Sequence, residues 1–197
     1  MRTASVRNKL KWCNRWNVTN CRVTSAKKAR QNESPKWDKL LLVNESLSLD
    51  AVDWVMWMDC DAVFTNYTTP YERILGQAVP TDVLLVAKSH SSPNMGVFFV
   101  RVSDKGKNLV QWLYERRPFL RRSAWKDQAA LRDILHKNPS IKDWIHIIPQ
   151  WEMNSYYQNS AGAAWKPGHW IAHQVNCRNK QCNRDFIRLA TRPATIN

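Results

Sequence analysis

Asp53-Trp-Val-Met-Trp-Met-Asp-Cys-Asp61 runs five consecutive apolar side chains into two carboxylates set one residue apart. A run this short, apolar throughout and rich in Trp and Val, predicts a strand buried on both faces, as in a parallel sheet. Ligands of open α/β sheets collect where the strands end. Two carboxylates on a chain just leaving a strand can both turn toward one cation, and Mg²⁺ and Mn²⁺ favour such oxygen donors and share them with substrate phosphates. A bare Asp-x-Asp also suits a solvated turn. The apolar strand in front of it is what makes a metal site the better reading.

Working outward, Val6 to Trp16 reads as a helix and Asn20 to Thr24 as a short strand. Pro35 opens a second helix at its favoured first turn, with Trp37, Leu40, Leu41 and Leu47 on one face. Beyond the acidic pair, Asp82 to Ala87 and Gly96 to Arg101 are apolar strands, joined by a polar loop that contains Pro93 and Asn94. Ser103 to Tyr114, capped by Ser103, and Trp125 to His136 read as amphipathic helices. Trp144 to Ile148 and His169 to His173 read as later strands. Alternation of strands and helices without an internal repeat implies one α/β layered domain.

The 197 residues carry 30 Lys and Arg against 16 Asp and Glu, a net charge of +14. Such a balance attracts polyanions, yet the basic residues are spread along the chain. The densest groups are Lys27-Lys28-Arg30, Arg116-Arg117 and Arg121-Arg122. A basic surface that draws a diphosphate or an acidic glycan fits this spread better than a nucleic-acid interface, and no nucleic-acid partner is expected. No apolar run approaches the roughly 20 residues of a membrane span, and the N-terminus has no signal-peptide centre.

Asn17-Val-Thr, Asn32-Glu-Ser, Asn44-Glu-Ser and Asn66-Tyr-Thr match the N-glycosylation pattern and lean toward the secretory path. Of the five cysteines, Cys177 and Cys182 lie close together in a polar loop, where a disulfide suits them better than zinc, which needs a second tight pair. Cys13 and Cys21 make a weaker second pair. Of the eleven tryptophans, Trp151, Trp165 and Trp170 are the candidates for stacking on a sugar ring, although most such rings pack the core.

Six segments, in order, resemble glycosyltransferase family 34, which holds fungal α-galactosyl- and α-mannosyltransferases and plant xyloglucan xylosyltransferases. They are Pro35-Lys-Trp-Asp-Lys39, Trp54 to Asn66 around the acidic pair, Asn94-Met-Gly-Val-Phe-Phe-Val-Arg101, Trp125-Lys-Asp-Gln-Ala-Ala-Leu131, Pro149-Gln-Trp-Glu-Met-Asn-Ser-Tyr156 and His173-Gln-Val-Asn-Cys177. The resemblance implies a GT-A nucleotide-sugar fold and a retaining transfer of a hexosyl or pentosyl group from a nucleoside-diphosphate sugar to a glycan or glycoprotein. It further implies Mn²⁺ or Mg²⁺ held by Asp59, Asp61 and His173, with Asp59, Lys39 and Arg178 on the donor. Asp127 and Gln128 would flank the reacting sugar, and Asn94 would hold substrate hydroxyls. Apart from the resemblance, Asp127 also reads as a helix-start carboxylate that complements the dipole, and Arg178 as a solvated loop charge. A Golgi membrane location on the luminal side, and oligomers with related transferases, follow from the same likeness.

Two departures from the family stand out. Asn176 occupies the position of the motif glycine before Cys177, and Asn tolerates a left-handed turn better than most residues. Ser5-Val-Arg-Asn-Lys9 resembles the helix that follows the family's first strand, so residues 1–197 are expected to be a single GT-A-like domain lacking that strand, truncated at the N-terminus. The alternative reading that this opens is a catalytically silent domain serving as a partner subunit or glycan binder.

Overall fold

In the computed structural model, which describes residues 2–24, 34, 36–89, 92–157, 163–175 and 180–192, the decisive apolar run forms β1 (Trp54–Met58). It corrects the expected setting. β1 is an edge strand, antiparallel to β4 (Ser92–Arg101), with Trp54 opposite Arg101 and Met58 opposite Val97. All five residues are half-buried, because no strand among the described residues pairs with the outer edge.

The sheet continues from β4 to β3 (Leu84–Ser89), antiparallel, and then to β5 (Ile145–Ile148), parallel to β3. Alternate residues of its strands feed two cores. Leu84, Val86, Phe98 and Val100 face α2 (Asp38–Ser46), α4 (Asp104–Glu115) and α5 (Lys126–Lys137), meeting Leu40, Val43, Leu109, Leu113, Ala130 and Ile134. Leu85, Ala87, Val97 and Phe99 face the other way, toward Trp12, Phe64, Trp170, Ile74 of the short helix α3 (Glu72–Leu75) and Met153 of the short helix α6 (Gln150–Met153). This period-two division is what a sheet covered on both sides requires. Each of these fully buried aliphatic or aromatic chains contributes about 1.5–3 kcal/mol. Ser103 caps α4 as expected, its hydroxyl accepting from Gly106 N–H at 3.1 Å.

A second sheet has the order β2 (Ala62–Phe64), β7 (Ile171–His173), β6 (Ser155–Tyr156); β2 is antiparallel to β7, and β6 parallel to it. The helix α1 (Arg2–Arg15) closes the outer edge of β2 with side chains. Asn8 Nδ2 donates to Phe64 O and Asn8 Oδ1 accepts from Phe64 N–H, both at 2.8 Å, so one amide side chain pairs with the strand as a neighbouring strand would. Lys9 Nζ donates to Ala62 O at 2.7 Å beside it. Trp12 of the same helix stacks on Phe64 with centroids 4.0 Å apart.

Asn20 to Thr24 forms no strand. Cys13 and Cys21 are joined in a disulfide, and Asn17 and Asn20 both take positive φ, so the chain turns back at the end of α1 instead of extending. Cys182 is also disulfide-bonded, while Cys177, its expected partner, lies outside the described residues. Pro93 and Asn94 belong to β4, not to a loop. Pairing between β3 and β4 shifts there: Val86 lies opposite Phe98, but Ala87 lies opposite Asn94. On the other edge of β4 the β1 ladder runs on one residue past Met58↔Val97, Asp59 N–H donating to Gly96 O at 2.8 Å, which holds β4 against the acidic end of β1. Of the glycosylation triplets, Asn17 and Asn44 are exposed, whereas Asn66 is buried and donates to Gly168 O. Asn32 lies outside the described residues. No helix of the described residues is long and apolar enough to cross a membrane.

Candidate active site

β1 delivers Asp59 and Asp61 from one side, and β7, antiparallel to β2, delivers His173 opposite Ala62. One ligand atom from each of Asp59, Asp61 and His173 lies within 4.8 Å of the other two. His173 Nε2 stands 3.2 Å from Asp61 Oδ1, with the imidazole almost fully buried and the carboxylate about one-third exposed. Cys60 between the acids is an exposed free thiol. Partial desolvation of its sulfur and the charges of Asp61 and Asp59 push its pKa up.

Behind the imidazole runs a buried chain of amides. His173 Nδ1–H donates to Asn154 Oδ1 at 2.9 Å, Asn154 Nδ2 donates to Asn94 Oδ1 at 2.9 Å, and Asn94 Nδ2 donates to Tyr156 Oη at 2.7 Å. Asn94 Oδ1 also accepts from Gly96 N–H at 2.8 Å. Every polar atom of the Asn94 amide is thereby engaged by protein. The direction of the chain places the His173 proton on Nδ1 and leaves a lone pair on Nε2, aimed at Asp61. Two lone-pair-bearing atoms 3.2 Å apart call for a positive charge between them, of the kind a divalent cation can supply. Burial works against charge on Asp61, but the hydrogen bond and charge of His173 outweigh it and hold the carboxyl below its usual range.

The ring fits only because residue 96 is glycine. A Cβ there would come within 2.2 Å of His173 Cε1 and 2.8 Å of Nδ1. The oxygen and nitrogen donors, the fixed tautomer and the glycine cradle together fit a Mn²⁺- or Mg²⁺-type cation.

Lys39, on the first turn of α2, joins the acidic pair to α5. Its buried ammonium lies 2.9 Å from Asp59 Oδ1, 2.9 Å from Asp127 Oδ2 and 3.0 Å from Met95 O, which engages all three protons. Burial opposes its charge, and the two carboxylates outweigh burial, so its pKa ends above the ordinary lysine value. Asp127 is pushed up by burial more than Lys39 pulls it down. Trp57 Nε1–H donates to Asp59 Oδ1 at 2.6 Å and fixes the carboxylate from the side.

The model of the galactosyl transferase GMA12/MNN10 family matches residues 1–79 and 71–184, nearly the whole chain. The chain belongs to this family. Among solved structures, a glycosyltransferase involved in glycosylation of the major capsid of PBCV-1 superposes with a TM-score of 0.68 at 11% identity, over 94% of this chain and 91% of that one. The galactosyltransferase LgtC, with donor and acceptor sugar analogs, gives 0.56 at 11% identity over 86% and 71%. Mouse xyloside xylosyltransferase 1 gives 0.50 at 11% identity over 87% and 73%. No curated protein matches the sequence. Family and fold agree that the chain is a GT-A glycosyltransferase.

For this member of the GMA12/MNN10 family, the remaining candidate residues divide by setting. Gln128 is half-buried beside Asp127 and donates to Ser92 Oγ at 3.0 Å. Arg178 lies outside the described residues. Trp170 is core, 2% exposed. Trp165 is half-buried, with its N–H on Thr65 Oγ1 at 2.9 Å, and Trp151 is 48% exposed. Sequence reasoning passed over Asn154, Tyr156 and Gly96, although each stands inside a segment that carried the resemblance. The available signal was their polar or small character within otherwise apolar, buried stretches.

Proposed function

We propose that the chain transfers a hexosyl or pentosyl group from a nucleoside-diphosphate sugar to a glycan or glycoprotein acceptor, retaining the donor's anomeric configuration. The observation that carries this reading is the convergence of Asp59, Asp61 and the lone pair of His173 within 4.8 Å. A Mn²⁺ or Mg²⁺ held by these three side chains would neutralise the charge that develops on the leaving diphosphate. The protein's own groups do the rest. Asn154, Asn94 and Tyr156 hold the His173 tautomer, so Asn94 acts as a positioning residue. Lys39 bridges Asp59 and Asp127, and Asp127 and Gln128, at the start of α5, flank the reacting sugar. Arg178 meets the diphosphate. A same-face route, in which the leaving phosphate accepts the acceptor proton, requires no separate protein base.

Disulfide-bonded Cys13, Cys21 and Cys182 suit an oxidising compartment, consistent with a luminal, Golgi-type location. The test incubates the purified chain with Mn²⁺ and UDP-galactose, UDP-xylose or GDP-mannose. Donor consumption should occur with one of them and fall at least a hundredfold in Asp61→Asn, and NMR of the product should show the donor's anomeric configuration. Equal turnover by Asp61→Asn, or an inverted linkage, would overturn the proposal.

A further inference from the structure

A cavity of about 410 Å³ opens between α4, α5 and the 3₁₀ turn Pro139–Trp144 that leads into β5. Small-ligand sites span about 300–1,000 Å³. Asn138, which lines the cavity, ends α5 eleven residues beyond Asp127, about 16 Å along the helix. The cavity and the metal centre therefore occupy opposite ends of one helix and share no residue. The floor is apolar, with Ile134 and Ile141 both buried. Trp112 and Trp144 line it with rings only 18° from parallel and centroids 6.1 Å apart, and the exposed ring of Phe119 forms part of the rim. Lys105 Nζ lies over the Trp144 ring at 5.2 Å, outside the lining. Neither Trp112 nor Trp144 has a protein partner for its indole N–H among the described residues. Trp16, Trp57 and Trp165, by contrast, donate to Tyr67 O, Asp59 and Thr65. Arg116, the only cation in the lining, pairs with Asp133 at 3.3 Å and lies over Phe119. Glu115 uses one carboxylate oxygen to hold Gln111 Nε2 at 2.9 Å. The Asn138 amide and the Ser140 hydroxyl belong to exposed residues and have no partner among the described residues.

We propose that this cavity is a second carbohydrate site, which takes one or two pyranose units of a neutral glycan. A pyranose presents a face of C–H groups and an edge of hydroxyls. The two near-parallel indoles and the phenyl ring suit the face. The indole N–H groups, the Asn138 amide, the Ser140 hydroxyl and the second oxygen of Glu115 supply donors and acceptors for the edge. Asp133 neutralises Arg116, so the lining holds no unpaired cation to select a phosphate or an acidic sugar. A protein partner would lay a broad surface of about 800 Å² across this side of the molecule, whereas the lining is concave and ringed by unengaged polar groups. Holding one part of a glycan here raises the effective concentration of the rest beside the chain. The assignment rests on the chain working on glycans, as the proposed transfer requires, but on none of the metal-centre residues.

Saturation-transfer NMR of the unaltered chain tests the proposal, with EDTA present and no nucleotide, so that the result is independent of the transfer reaction. Mannobiose, galactobiose and cellobiose serve as probes at about 10 mM, since millimolar dissociation constants are expected. Irradiating the aromatic protons should pass saturation to the C–H protons of at least one disaccharide, and the Trp112 and Trp144 indole N–H signals should shift. Trp112→Ala is expected to weaken binding about tenfold. Ser140→Ala, a small change at an exposed position, is expected to weaken it severalfold. Trp151→Ala, which removes an exposed indole outside the cavity, is expected to leave it nearly unchanged. The proposal is overturned by no transfer to any of the three sugars, by Trp112→Ala binding as well as the parent, or by Trp151→Ala alone losing the sugar. A dimer in sedimentation that Trp112→Ala dissociates and the sugars leave intact would also overturn it, by making the cavity a protein interface. Sugar binding with no transfer from any donor would instead count against the proposed reaction alone.

Discussion

Replacing Gly96 by alanine separates a cation site from a chance cluster of acids, because the change displaces a ligand without replacing one. The added Cβ would sit 2.2 Å from His173 Cε1 and 2.8 Å from Nδ1. Carbon atoms settle at about 3.5–4.0 Å, so the imidazole must withdraw by roughly 1.3–1.8 Å. Protein–metal bonds tolerate deviations of about 0.2 Å. The withdrawal therefore removes Nε2 from the coordination sphere and stretches its Nδ1–H bond to Asn154. Losses of this kind cost about 10–100-fold in metal affinity. The expected outcome is a Mn²⁺ dissociation constant raised by that factor in isothermal titration, with the fold retained.

Overpacking should also cost about 1–3 kcal/mol of stability, or roughly 2–4 °C of melting temperature per kcal/mol for a chain of this size. In a His173→Ala background the clash with the ring disappears and only the 2.9 Å approach to Asn94 Oδ1 remains. The same substitution should then cost far less, and the double-mutant cycle isolates the contact. Unchanged Mn²⁺ affinity in Gly96→Ala, together with no coupling to His173→Ala, would refute the reasoning.

Lys39→Met leaves Asp59 and the buried Asp127 facing each other without their shared cation. About 3–5 kcal/mol of stability should be lost, and part of it regained on mild acidification, because Asp127 already protonates above the usual range. An unchanged melting temperature would contradict a buried bridge. Asn154→Ala removes the acceptor of His173 Nδ1–H, so imidazole ¹⁵N NMR should change from one tautomer to a mixture, and Mn²⁺ affinity should fall about tenfold. Lys9, lowered to about 8 chiefly by burial against the opposing charges of Cys60, Asp61 and Asp59, binds its proton less readily folded than unfolded. The unfolded chain then holds more protons between about pH 8 and its ordinary lysine pKa, so stability rises with pH across that window. Denaturant unfolding at pH 8 and pH 10 should show a gain in the parent that Lys9→Met lacks; equal gains would contradict the assignment.

The sequence carried the ordered motifs, the Ser103 cap and the GT-A class, because each depends on local pattern or on several segments agreeing. The direction of β1 was not legible. Trp54 to Met58 shows the same apolar run whether a strand lies inside a parallel sheet or at an antiparallel edge, and only the partner decides. Asn94 shows a second limit. Its motif marks a polar residue at the site, but not that Gly96, Asn154 and Tyr156 occupy both ends of the amide. The bridging of Asp59 and Asp127 by Lys39 depends on the packing of α2 against the sheet and α5, which no single segment encodes. Asn20 to Thr24 looked extended because the Cys13–Cys21 bond that turns the chain back carries no periodic signal.

Nucleotide-dependent thermal unfolding tests the account most directly. With Mn²⁺ and UDP or GDP at about a hundred times its dissociation constant, mass action adds about 2.7 kcal/mol. The unfolding temperature should then rise by roughly 5–10 °C, while nucleotide without a divalent cation raises it little and Asp61→Asn loses the rise. No shift with either nucleotide in the presence of Mn²⁺ or Mg²⁺, or an equal shift in Asp61→Asn, would contradict a metal-bound diphosphate at Asp59, Asp61 and His173.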